Sequence, residues 1–145
     1  ASFIQASASG RFAIVTGGAR WPAMLHRLAA SLGMASQLTT VDIVEQDGAT
    51  LLADRDLALN VLSKACQKAA QADVGSVIFG GAGLAGYASE LQAHCAVPIL
   101  DSVSAAIEFA ALNLRVKHLI VMGHSGCGGV KAALDSITAD AAIEA

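Results

Sequence analysis

A chain of 145 residues, 54% of them hydrophobic and 14% charged, holds enough apolar content for one compact domain and is too short for two ordinary ones. With only 4% aromatic residues, it suits alanine- and aliphatic-lined helices packed on a sheet, not an aromatic-rich binding surface or a disordered chain. A formal net charge of −3 and no run of Lys or Arg exclude an electrostatic footprint for nucleic acid or an anionic membrane.

In chain order, residues 11–17 (RFAIVTG) are a short apolar run ending in glycine. Behind Pro22, a residue suited to a first helical turn, Met24, Leu25, Leu28 and Leu32 recur at helical spacing. A second strand is expected at 38–44 and a helix over about 54–72, with Leu57, Val61, Leu62, Ala65, Cys66 and Ala69 on one face. Then come a strand at 77–80, a helix at about 84–94, a strand at 97–100 and a helix carrying Val103, Ala106, Ile107, Ala110, Ala111 and Leu114. The last pair is a strand at 117–123 and a helix at about 128–137. Residues 1–10 and the Ala-rich end after Ile137 read as peripheral.

Continuous apolar strands alternating with amphipathic helices predict an α/β fold: a single three-layer, doubly wound domain over 1–145. Five βα units give a five-stranded parallel sheet, with the flavodoxin-like order 2-1-3-4-5 the best single choice. The loops TGGARW, FGGAGLAG, LDS and GHSGCGG then all emerge at the C-terminal edge of that sheet, where the functional site is expected.

The longest charge-free stretch, 74–89, is broken by five glycines and does not read as a membrane span. The N-terminus lacks the basic flank and unbroken apolar region of a secretion signal. Cys66, Cys95 and Cys127 are odd in number and widely spaced, so a reduced, cytoplasmic setting is expected.

Two stretches resemble known families. From about 11 to 102, RFAIVTGGARWPAMLHRLAASLG followed by VIFGGAGLAGYASELQAHCAVPILDSV resembles the C-terminal domain of the aspartate/glutamate racemase superfamily, in particular its hydantoin racemase-like branch. That resemblance implies proton removal and return by two thiols on opposite faces of a stereocentre, one from each of two similar domains. Where the family's second thiol stands in a G-C-A-G loop, this chain reads Gly80-Gly81-Ala82-Gly83, and glycine offers no base. A length of 145 residues also leaves no room for the partner domain.

From about 104 to 135, SAAIEFAALNLRVKHLIVMGHSGCGGVKAALD resembles the helix, strand and zinc loop of β-carbonic anhydrases, with His124 and Cys127 on that family's H-x-x-C positions. The family's further C-x-D-S-R loop has only Ile99-Leu100-Asp101-Ser102-Val103 as its look-alike, with Ile at the cysteine and Val at the arginine. One chain carrying parts of two enzymes, each centre incomplete, reads as a chimeric scaffold joined near Asp101 to Ser104. A zinc lyase hydrating CO₂, with its site completed across a homo-oligomer, and a racemase-like isomerase needing a partner domain are the alternatives.

His124 and Cys127 stand at i and i+3 where a strand turns into a helix, so an imidazole and a thiolate converge there, with Asp101 as the nearest third ligand and water in the fourth position. Cys127 is also the one candidate catalytic thiol at the sheet edge. The competing reading is a hydrogen-bonded loop histidine and a small half-buried cysteine. Gly81-x-Gly83-x-x-Gly86, with Asp101 twenty residues after Gly81, has the layout of a dinucleotide fingerprint and taken alone predicts NAD. It sits on the third strand, however, and the racemase-like reading makes Gly81, Ala82 and Gly83 a carboxylate- or amide-binding loop instead. Thr16, Gly17 and Gly18 before Arg20 would present a hydroxyl, backbone N–H groups and a counter-charge to a small anion, or simply form a βα turn on which Trp21 packs. His26, His94 and His118 have no clustered partner and read as structural or surface residues.

Overall fold

The structure, a computed structural model, describes residues 1–46, 48–120 and 122. Strands β1 (Phe12–Gly17), β2 (Leu38–Val44), β3 (Ser76–Phe79) and β4 (Ile99–Asp101) form one parallel sheet in the order β2-β1-β3-β4. Helices α1 (Ser2–Ser7), α2 (Trp21–Ser31), α3 (Gly48–Ala53), α4 (Arg55–Ala70), α5 (Ala88–Leu91) and α6 (Ser102–Glu108) surround it. The first four strands thus take the expected flavodoxin-like order.

Because successive strand side chains point to opposite faces, β1 divides its residues between two cores. Phe12 and Ile14 pack with Phe3 and Ala6 of α1, Ala29 of α2, Leu38 and Ile78. Ala13 and Val15 pack with Ala58, Leu62, Cys66 and Ala69 of α4, together with Val77, Phe79, Tyr87 and Leu91. Helix α4 begins where the Asp54 carboxylate accepts the Leu57 N–H at 2.9 Å, and its buried residues recur at the spacing of one helical face. The result is a sheet covered on both sides.

Three expectations are corrected. Residues 1–10 are not peripheral: α1 carries Phe3 and Ala6 into the core, and the Phe3 ring meets Phe12 edge-on with centroids 5.3 Å apart. The tail of α1 crosses so close to the start of β3 that a Cβ at Gly75 would stand 2.0 Å from the Ser9 carbonyl oxygen, so glycine is required there. The helix expected over 84–94 is broken into a 3-10 turn (Ala82–Leu84), α5, and a second 3-10 turn (Gln92–His94). Gly86, at φ +90°, interrupts the regular turn.

Third, the described residues carry four strands, not five. Residues 117–120 are exposed and form no strand, and β4 spans only three residues, which gives a fifth strand a short template. The helix expected over 128–137 lies outside the described residues. Helix α6 passes into a π-helical turn (Phe109–Asn113) and ends at Arg115, whose φ of +51° reverses the chain. No helix among the described residues is long and apolar enough to cross a membrane.

Candidate ligand site at the C-terminal edge of the sheet

Each strand of the centre ends in residues too small to fill the space above it, and the structure places two adjoining cavities there. The larger, about 380 Å³, is walled by Ser2, Phe3, Ile14, Thr16, Trp21 and Leu25, together with Ile78, Gly80, Gly81 and Ser102. The smaller, about 170 Å³, shares Thr16, Trp21 and Gly81 and adds Gly17, Gly83, Val44, Gln46, Leu51 and Leu84. Thr16, Gly17, Gly81 and Gly83, singled out from the sequence, are therefore brought together. Gly18 and Arg20 are exposed and line neither cavity.

Thr16 is the polar centre of the arrangement. It ends β1 with 5% exposure, and its hydroxyl has only a long 3.4 Å contact to the Gly17 carbonyl. Gly80 lies against it, since a Cβ there would stand 3.6 Å from the Thr16 hydroxyl, and the next residue, Gly81, has φ +119°, a conformation that an L side chain adopts only with strain, although a Cβ there would meet nothing closer than Leu84 at 3.8 Å. Space for a side chain exists at Gly81; the backbone disfavours one. Gly18, at φ +89°, makes the tight turn that lets its carbonyl accept the Trp21 N–H at 3.2 Å and start α2.

Asp101 has a different role from the one its sequence position suggests. One carboxylate oxygen, Oδ1, accepts the N–H groups of Val103 and Ser104, each at 2.9 Å, and so caps α6. The other, Oδ2, accepts the Gly86 N–H at 3.1 Å and ties the glycine loop to that cap. Three bonds on a carboxylate with about four lone-pair sites leave little for a metal or a ribose. Ala82–Leu84 is a 3-10 turn and α5 has 4 residues, so the glycine loop does not open the long helix on which a pyrophosphate rests.

Among the described residues, no group of three His, Cys, Asp or Glu side chains could hold a metal ion. His124 and Cys127 lie outside the described residues. His26, His94 and His118 are exposed, in keeping with a surface reading. Cys66 is buried on α4, and the Cys95 Sγ lies 3.9 Å from the Cys66 carbonyl oxygen, so Cys95 packs beside the α4 face of the sheet. Burial, and to a lesser degree the neighbouring Cys95, pushes the Cys66 thiol up to about 12, which keeps it neutral.

The residues that reading the sequence missed are Phe3 and Trp21 as cavity walls. Phe3 and Ala6 stand at i and i+3, a helical signal too short to stand out, and Trp21 reads equally well as core packing.

Two family models match the chain: Asp/Glu/hydantoin racemase over residues 1–110 and carbonic anhydrase over residues 88–144. It is 31% identical to the hydantoin racemase of Paenarthrobacter aurescens over 110 residues, 75% of this chain and 45% of that protein. Over 39 residues, 26% of this chain and 17% of the other, it is 51% identical to a carbonic anhydrase of Emericella nidulans. In fold it is similar to the allantoin racemase of Klebsiella pneumoniae, with a TM-score of 0.69 at 21% identity over 85% of this chain and 56% of that one. The chain spans less than half the length of the hydantoin racemase that it matches.

Proposed function

Because the chain belongs to the Asp/Glu/hydantoin racemase family over residues 1–110 and runs on into a carbonic anhydrase-like fragment, we propose that it is a chimeric scaffold that keeps the racemase fold and a ligand cleft but lacks, at Gly81, the thiol base of the family's reaction. Its ligand is a small carboxylate or cyclic amide of the hydantoin class, held at Thr16 and the backbone of Gly17, Gly81 and Gly83. The observation that carries this reading is Gly81: it lines the same cleft as Thr16, at the position where the family's loop holds a thiol, with no side chain and a backbone of φ +119°. A glycine can donate a backbone hydrogen bond there but cannot take a proton from carbon.

The test pairs binding with chemistry. Trp21, the single tryptophan, lines both cavities, so its emission reports occupancy. Titration with hydantoin is expected to change that emission, while α-proton exchange in deuterated buffer stays at the buffer rate. Exchange above that rate overturns the reading, and its loss in Cys127→Ala would assign the base to that thiol.

The 51% identity over 39 residues supports a second reading, a zinc site at His124 and Cys127 serving CO₂ hydration. The described donors do not fit it, since the Asp101 carboxylate is engaged by three backbone N–H groups. A third ligand must then come from outside the described residues or from a second copy. Stoichiometric zinc in the purified protein, with hydration activity that Cys127→Ser abolishes, would favour this reading.

A further inference from the structure

β4 is the edge of the sheet, and its outward backbone is not left bare. Val77 donates to the Pro98 carbonyl at 2.9 Å, so residues 98 and 100 bond inward to β3 and residues 97, 99 and 101 turn their backbone groups outward. The Gln92 side chain lies against that outer edge. Its Oε1 accepts the Ile99 N–H at 2.8 Å, and its Nε2 donates to the Val97 carbonyl at 3.1 Å and to the Cys95 carbonyl at 3.2 Å. Accepting from residue 99 while donating to residue 97 is the pair of bonds that one residue of a neighbouring parallel strand would make. Gln92 is a one-residue imitation of a missing strand.

A segment with the composition of a strand follows α6 and pairs with none among the described residues. Val116, Leu119, Ile120 and Met122 are 42%, 51%, 80% and 84% exposed, an apolar run with the composition of a buried parallel strand. The run follows Arg115 and contains Lys117 and His118, and the groove beside β4 and α6 is lined by Ile99, Leu100 and Ala105 together with the polar Gln92 and Ser104 and the carboxyl-bearing Asp101 and Glu108. Among the described residues Glu108 forms no ion pair. A strand laid there would set the apolar side chains of the run against Ile99, Leu100 and Ala105 and its cation near Glu108.

We propose that the run from Val116 to Ile120 of one copy adds as a strand to the β4 edge of a second copy, and reciprocally, with the Gln92 side chain as the group that it must displace. Among the described residues neither the edge nor the run has a partner strand, so a twofold pair satisfies both at once and closes on itself. Gln92 competes with the incoming backbone for Ile99 and Val97, which holds the exchange to a concentration-dependent equilibrium.

Sedimentation of the full chain from micromolar to hundreds of micromolar concentration tests this. The wild type is expected to pass from monomer to dimer. Gln92→Ala, which removes the competitor, should lower the dissociation constant by about tenfold or more, the worth of a net hydrogen bond or two. Ile120→Lys, at a position 80% exposed and thus harmless to the monomer, should raise it by a similar factor or abolish the dimer. A wild type and a Gln92→Ala variant that both stay monomeric overturn the proposal. So does a dimer that Ile120→Lys leaves intact, which would place the interface elsewhere, or open-ended association in Gln92→Ala, which would show a pairing that does not close. Should Gln92→Ala fail to fold, the Ile120→Lys comparison still decides.

Discussion

The carboxylate of Asp101 and the backbone N–H of Gly86 meet at 3.1 Å, joining the loop after β3 to the cap of α6. One side chain thereby fixes two of the loops that wall the sheet edge. Replacing it by alanine removes the cap bonds to Val103 and Ser104 together with the tie to Gly86. Asp101→Ala is expected to cost about 1–2 kcal/mol from the cap and about 1 kcal/mol more from the tie, measured by urea unfolding. Asp101→Asn can keep the cap oxygen but sets an amide N–H₂ against the Gly86 N–H, so it should cost less than alanine. Equal losses in the two variants would show that the Gly86 bond contributes nothing. If His124 and Cys127 draw zinc, neither substitution should change its affinity, whereas Cys127→Ser should weaken it.

The glycines of the loop after β3 look alike in sequence and differ in the fold. Gly81 has φ +119°, while Gly83 sits in a 3-10 turn with open space where a Cβ would project. Gly81→Ala is expected to destabilise by about 1–2 kcal/mol through backbone strain. Gly83→Ala should be neutral or stabilising by up to about 1 kcal/mol, because it narrows the unfolded ensemble without a clash. Gly81→Cys, which restores the resembled family's residue, carries the same strain and is expected to leave α-proton exchange at the buffer rate. Exchange gained in that variant would mean that the loop relaxes and that one thiol is enough.

How much of this was legible in the sequence varies with the range of the forces involved. Strand β2 falls at 38–44 as periodicity predicts, and the order of the first four strands follows from right-handed crossovers, because both rest on local pattern and chirality. The gathering of Thr16, Gly17, Gly81 and Gly83 was legible for the same reason, since parallel strands deliver their loops to one edge. The place of α1 was not, because Phe3 finds its partner Phe12 only once the tail of the helix has crossed at Gly75, a contact between residues distant in sequence. Asp101 misled for a similar reason: an acid at a strand end is the same residue type whether it holds a ligand or caps the next helix, and only the three N–H groups around it decide. The strand expected at 117–123 reads clearly from composition, yet its described residues 117–120 form none, and the Gln92 side chain sits on the β4 edge beside which it would pair.

The buried thiol of Cys66 gives stability a dependence on alkaline pH. Its folded value, raised from an ordinary 9.0 to about 12 chiefly by burial, means that above 9 the unfolded chain releases a proton that the folded one retains. Stability from this group is therefore full below pH 9 and is lost as pH rises toward 12, at up to about 1.4 kcal/mol per pH unit. Urea unfolding across this window should show a falling stability whose slope is shallower in Cys66→Ala. Parallel slopes in the two proteins would assign the loss to other groups. Thiol alkylation near neutral pH should correspondingly leave Cys66 untouched in the folded protein.

Phe3 serves both the core and the cleft, and the two roles separate by experiment. The residue is 7% exposed, its ring stands edge-on to Phe12 at 5.3 Å, and it lines the 380 Å³ cavity together with Trp21. Phe3→Ala is expected to cost about 3 kcal/mol or more, the usual range for a buried ring, and to open the cleft on the side of α1. Phe3→Leu keeps most of the buried volume, so its cost should be roughly half that of alanine or less. If the cleft binds hydantoin as proposed, Phe3→Leu should retain the ligand-induced change in Trp21 emission and Phe3→Ala should weaken it even under conditions where the protein remains folded. Thr16→Val supplies the control, because it preserves shape, removes the hydroxyl and should weaken binding by about tenfold, the worth of one hydrogen bond. Loss of the signal in Phe3→Ala together with an unaltered Thr16→Val would show a merely apolar cavity, with the hydroxyl at the end of β1 playing no part in recognition.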